Sequence, residues 1–119
     1  MKIALTKTFR FEAAHCLPHL PQEHKCARMH GHSFEVDVRV EGECDPKRGW
    51  LMDYAEIKKA FQPILDQLDH RHLNDIRGLE IPTSENLAKW IWDRLKPSLP
   101  LLAAIIVAES RESRAEYRG

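Results

Sequence analysis

The stretch CARMHGHSFEV at 26–36 places His30 and His32 one residue apart, with Cys26 four residues before the first. A third histidine, His15, closes the upstream run FEAAH. Neutral imidazoles suit zinc, which favours four-coordinate sites of nitrogen and sulfur. Three of them leave one position open for a reactant, the pattern of catalytic rather than structural zinc. Cys26 admits two readings: a fourth ligand that closes the site, or a thiolate working beside the metal with its pKa lowered by a neighbouring cation or imidazole.

Two further features could do acid–base or recognition chemistry. Asp69-His70 is either a plain helix-end pair or a working carboxylate and imidazole, since a carboxylate can fix the ring tautomer while the ring exchanges a proton with a thiol. Glu109 ends an otherwise apolar run, Leu101 to Glu109, on the parity of Ile105 and Val107. A carboxylate there either emerges into solvent at the strand end or is partly buried and needs partners; in the second case its two oxygens would match the parallel N–H donors of an amidine-like or amino-pyrimidinone ligand. His19, His24 and His72 show no such patterning and read as ordinary polar residues. Cys44 falls in a turn, and Cys16 has the opposite parity to His15.

For the three imidazoles to meet, the chain must bring two strands together. Ile3, Leu5, Phe9, Phe11, Ala13 and His15 alternate with Thr6, Thr8, Arg10 and Glu12, broken only by Lys7. His30, His32, Phe34, Val36, Val38 and Val40 alternate with Ser33, Glu35, Asp37, Arg39 and Glu41. Period-two alternation is that of half-buried strands, so all three histidines lie on apolar faces. Antiparallel pairing of those faces makes them converge at one end of the sheet. The turn residues Cys44-Asp-Pro-Lys-Arg-Gly49 predict a short third strand at Trp50–Met52. Asp53 and Glu56 cap a helix with the stripe Ile57, Phe61, Ile64, Leu65 and Leu68, kinked at Pro63. After a loop over Asp69–Pro82, Thr83 starts a second helix through Leu87, Trp90, Ile91 and Leu95, and Leu101–Glu109 is the last strand. The expectation is an α+β fold, an antiparallel four-stranded sheet with two helices on one face.

At 119 residues with 43% hydrophobic and 30% charged content, the chain predicts one domain over 1–119 of a globular type. The formal net charge of zero gives no electrostatic case for nucleic acid or an anionic membrane, and no apolar run has the ~20 residues that span a bilayer. The start reads as a strand rather than an export signal. Three cysteines do not make a disulfide framework, so a cytoplasmic setting is expected, and so small a domain favours oligomerisation.

Taken together, FEAAH at 11–15, CARMHGHSF at 26–34, GWLMDY at 49–54, LDHRHLND at 68–75, PTSENLAKWIW at 82–92 and Glu109 resemble the 6-pyruvoyl-tetrahydropterin synthase family over nearly the whole chain, most closely its bacterial 6-carboxytetrahydropterin synthase branch. The resemblance implies zinc held by His15, His30 and His32, Cys26 as the proton-transferring residue, Asp69 and His70 as its relay, and Glu109 as catalytic anchor of the pterin ring. It implies the tunnelling fold, in which sheets from several subunits close into a barrel, usually a hexamer of two trimers, with active sites between subunits. It also implies a lyase acting on 7,8-dihydroneopterin triphosphate in queuosine biosynthesis. A pyruvoyl-forming enzyme and a non-catalytic zinc- or pterin-binding module are the rivals. Two departures stand out: Cys16 occupies a position often basic in relatives, and the tail SRESRAEYRG is more charged than theirs.

Overall fold

A computed structural model describes residues 1–119. Strand β1 (Lys2–His15) and strand β2 (His30–Glu43) form a long antiparallel ribbon, in register from Lys2 opposite Glu43 to His15 opposite His30. Helix α1 (Tyr54–Leu68) follows, then a two-residue strand β3 (Arg71–His72), helix α2 (Ser84–Leu95), and strands β4 (Leu102–Ala108) and β5 (Arg114–Tyr117). The sheet order is β3-β1-β2-β4-β5, with β3 parallel to β1 and all other neighbours antiparallel.

The alternation read from the sequence sorts the two faces. Phe9, Phe11, Phe34, Val36, Val38 and Val40 are buried under the two helices in one contiguous core with Ile57, Phe61, Leu68, Leu87 and Ile91. Phe9 stacks on Phe61 at 4.3 Å between ring centroids. Removing such a ring would cost about 3–5 kcal/mol. The other face stays polar: Thr8 Oγ1 donates to Asp37 Oδ1 at 2.7 Å, and Arg10 pairs with Glu35 at 2.6 Å. Each helix begins where its capping residue predicts. Asp53 accepts from the Ala55 amide at 2.9 Å and Thr83 from the Asn86 amide at 3.1 Å, satisfying N–H groups that have no partner within the helix.

The layers are as expected, with two helices on one face, but the sheet is mixed and five-stranded rather than antiparallel and four-stranded. Trp50–Met52 is not a strand. Trp50 makes a lone bridge to Asp45 across a turn in which Gly49 takes φ +77°, and the chain then enters α1. The two added strands are β3, inside the predicted loop, and β5, inside the charged tail. In β5, Ala115 and Tyr117 are half-buried while Arg114 and Glu116 are exposed, and Tyr117 packs edge-on to Trp92 at 5.6 Å. Four residues of alternation are too few to stand out among so many charges. Helix α1 continues to Leu68 through an exposed Pro63; the missing N–H affects only a solvent-facing turn.

Candidate metal centre

The register of β1 against β2 decides the site. His15 faces His30, and Ala13 faces His32, so the three imidazoles project from adjacent positions on the core side of the ribbon's end. Their ring centroids lie 4.5, 5.0 and 4.9 Å apart. Phe34 forms an apolar floor, its ring 5.6 Å from His15 and 5.5 Å from His32. One nitrogen from each histidine lies within 4.8 Å of the others.

The hydrogen bonds show which nitrogens remain free. His15 Nδ1 meets the Pro82 carbonyl at 2.8 Å, and His30 Nδ1 meets the Arg28 carbonyl at 2.7 Å. A carbonyl only accepts, so each Nδ1 carries the hydrogen and each Nε2 presents a lone pair. Nε2 of His15 and Nε2 of His32 are buried without any hydrogen-bond partner. Such orphaned polar atoms are expensive, and a divalent ion satisfies them. Burial also holds the pKa of His15 below its ordinary value of 6.5, against the opposing pull of the Pro82 carbonyl and Glu109. The ring is therefore neutral and ready to ligate near neutral pH. The donor set and its burial fit a metal ion held by His15, His30 and His32.

Cys26 lies outside that cluster. It sits half-buried in a short 3-10 turn, Lys25–Ala27, with its carbonyl accepting from the Leu17 amide at 2.7 Å and its own amide donating to His24 Nδ1 at 3.0 Å. His24, read from the sequence as an ordinary polar residue, thus caps the turn that bears this thiol. Three histidine ligands without protein sulfur is the open arrangement.

Glu109 emerges beside the cluster. Its Oε2 stands 3.8 Å from His32 Nε2, and its Oε1 accepts a 3.0 Å hydrogen bond from Ser84 Oγ. Both side chains line a cleft of about 660 Å³ with His32, Ser110 and Arg114. Ser84 has no distinguishing pattern in the sequence beyond following the Thr83 cap. Only the packing of the α2 N-terminus against the end of β4 reveals it.

Asp69 and His70 are held at the end of α1, and His70 lines one cleft together with His32. Asp69 Oδ1 accepts from the Glu12 amide and from His70 Nδ1, both at 3.0 Å, while the His70 amide donates to the Glu12 carbonyl at 2.6 Å. The Glu12 amide first, then the His70 side chain, lowers the Asp69 pKa. His70 adopts φ +58°, a left-handed conformation uncommon outside glycine. Its ring, 77% exposed, stands in a cleft of about 550 Å³ that Glu12, Gly31 and Ser33 of the polar face also line. No hydrogen bond joins it to Cys26. Arg71 lines the same cleft, and Lys25 and Arg28 are exposed near the cysteine turn. No helix is long and apolar enough to cross a membrane.

The family model for 6-pyruvoyl tetrahydropterin synthase matches residues 4–119. The 6-carboxy-5,6,7,8-tetrahydropterin synthase of Synechocystis is 43% identical over 117 residues, covering 93% of this chain and 89% of the relative. The dihydroneopterin monophosphate aldolase of Pyrococcus furiosus is 38% identical, covering 84% and 81%. The solved 6-pyruvoyl tetrahydropterin synthase of Caenorhabditis elegans superposes with a TM-score of 0.92 at 30% identity, over 100% of this chain and 96% of that one.

Proposed function

The chain belongs to the 6-pyruvoyl tetrahydropterin synthase family, and on that premise we propose that it is a zinc-dependent lyase converting 7,8-dihydroneopterin triphosphate and one water to 6-carboxy-5,6,7,8-tetrahydropterin, acetaldehyde and triphosphate. The observation that carries this reading is the pairing of unpartnered imidazole nitrogens with a carboxylate 3.8 Å away. A pterin ring anchored on Glu109 brings its side chain to the three histidines. The Synechocystis relative bears the name of this activity, and the Cys-x-x-x-His-Gly-His spacing favours carboxy formation over the pyruvoyl product. Queuosine biosynthesis in the cytoplasm is the setting that this activity implies.

His15, His30 and His32 would hold the zinc, which when bound would supply Lewis-acid polarisation of the substrate's side-chain hydroxyls. Glu109, oriented by Ser84, accepts the paired N–H groups of the amino-pyrimidinone edge. Cys26, as a thiolate, takes and returns protons at the side-chain carbons. Asp69 holds the hydrogen on His70 Nδ1, so that Nε2 is the nitrogen that exchanges protons with the thiol.

His70 stands over the polar face of the sheet, and β1 pairs with β3 only at Ala13 and Ala14, leaving the edge from Lys2 to Phe11 open. An edge of that length invites pairing with another copy. The assembly in this reading is a ring of chains, trimer or hexamer, with each Asp69–His70 pair serving the Cys26 of a neighbour. The polar strand face then lines a water-filled lumen.

Incubation of the zinc-loaded protein with dihydroneopterin triphosphate, followed by mass spectrometry, tests the proposal. The expected products are the carboxypterin and free acetaldehyde. A product retaining all three side-chain carbons would identify a pyruvoyl-forming enzyme. Stoichiometric metal with no triphosphate release would reduce the chain to a binding module.

A further inference from the structure

The segment 71–82 grips the chain around His15 at several points, and one side chain provides two of those bonds. Asn74, half-buried in the 3-10 turn Leu73–Asp75, accepts from the Cys16 amide at 3.0 Å through Oδ1 and donates to the Cys16 carbonyl at 2.8 Å through Nδ2. Nδ2 also reaches the Glu80 carbonyl at 3.4 Å. Strand β1 ends at His15, and its parallel pairing with β3 stops at Ala14 opposite His72. The Asn74 amide continues that edge to Cys16, two residues beyond Ala14, standing in for a peptide group where β3 has already turned away.

The consequence falls on His15. His15 and His30 face each other as the last residue of β1 and the first of β2, and β4 joins β2 only from Glu35 onward. His15 is the residue from which the chain leaves for the loop that bears Cys26. Its backbone is fixed on one side by Ala14 against His72 and on the other by Cys16 against Asn74, and its ring by the Pro82 carbonyl. Without Asn74, the Cys16 peptide loses both partners at the point where the ligand must be held to within a fraction of an ångström.

We propose that Asn74 is a positioning residue of the three-histidine centre: it sets the geometry of His15 by bonding both backbone groups of Cys16. The inference rests on the reading that His15, His30 and His32 bind a divalent ion. Groups that orient a ligand without touching the metal typically change metal affinity by about 10–100-fold.

The test uses the full chain, stripped of metal, with Co²⁺ followed by its visible absorption and Zn²⁺ affinity measured by competition with a chromophoric chelator. Asn74→Leu removes both bonds at similar volume. Asn74→Asp keeps acceptance from the Cys16 amide and loses donation to its carbonyl. The expected result is a Zn²⁺ affinity about 10–100-fold weaker for Asn74→Leu, an altered Co²⁺ spectrum, and an intermediate affinity for Asn74→Asp. Unchanged affinity and spectrum, even with a lowered melting temperature, would make Asn74 a structural residue only and overturn the proposal. If Asn74→Leu does not fold, Asn74→Asp decides by the same two readouts. Failure of the wild-type chain to bind either ion overturns the three-histidine reading itself, and this inference with it.

Discussion

The Nε2 of His32 lies 3.8 Å from Oε2 of Glu109, so a nitrogen from the three-histidine cluster and the carboxylate at the end of β4 face each other across the wall of one cleft. This juxtaposition brings together groups that the linear chain keeps far apart. In the proposed reading, a ligand held by the carboxylate would need to extend only a few bonds to meet the imidazoles.

Cys26→Ala abolishes turnover, by about 10²–10⁴-fold or more as befits loss of a proton-transferring group, and leaves bound metal near the wild-type stoichiometry. Metal analysis beside a rate assay checks both halves. Loss of the ion with the thiol would instead make Cys26 a ligand.

Glu109→Ala chiefly destroys pterin binding, measured by titration of a non-reactive pterin. Ser84→Ala removes the 3.0 Å hydrogen bond that orients Glu109. A bond to a charged acceptor contributes about 1.5–3 kcal/mol, so affinity falls roughly tenfold or more. Full pterin affinity in Glu109→Ala would end the anchoring role.

The metal-free protein loses stability on mild acidification. The pKa of His15 is depressed in the fold, chiefly by burial, from an ordinary 6.5. Above that value both folded and unfolded chains hold the ring neutral, and its contribution is complete. As pH falls from 6.5 towards the folded value, the unfolded chain binds the proton that the fold refuses, and stability drops with a slope of up to about 1.4 kcal/mol per pH unit. Urea denaturation across this range shows the loss, and His15→Phe removes the His15 component of the slope.

Co-refolding Cys26→Ala with His70→Ala, each inactive alone, restores activity. If a site draws its thiol from one chain and its imidazole from the next, random mixing in a ring gives about a quarter of the wild-type rate. No recovery would place both residues in one chain's site.

Much of this architecture was legible along the chain because alternation is a local property. His15, His30 and His32 share a parity with Phe11 and Phe34, and parity alone puts them on the buried face of two neighbouring strands. The caps at Asp53 and Thr83 are equally local, since a cap needs only the residues that follow it. β5 was hidden because its strand character comes from pairing with β4 and packing on Trp92, and β3 because two residues beside β1 have no period to detect.

What the amino-acid order by itself determined was the inventory and the facing: three imidazoles on one side, a thiol in the loop between them, a carboxylate at the end of an apolar strand. The tertiary structure alone decided the contacts made across long separations. Register set His15 opposite His30, the carbonyl of Pro82 fixed the tautomer of His15, and Ser84 and Asn74 gained their partners from segments 25 and 58 residues away. The physical reason is that parity is a property of each strand, whereas register, tautomer and orphaned nitrogens exist only once separate segments have packed.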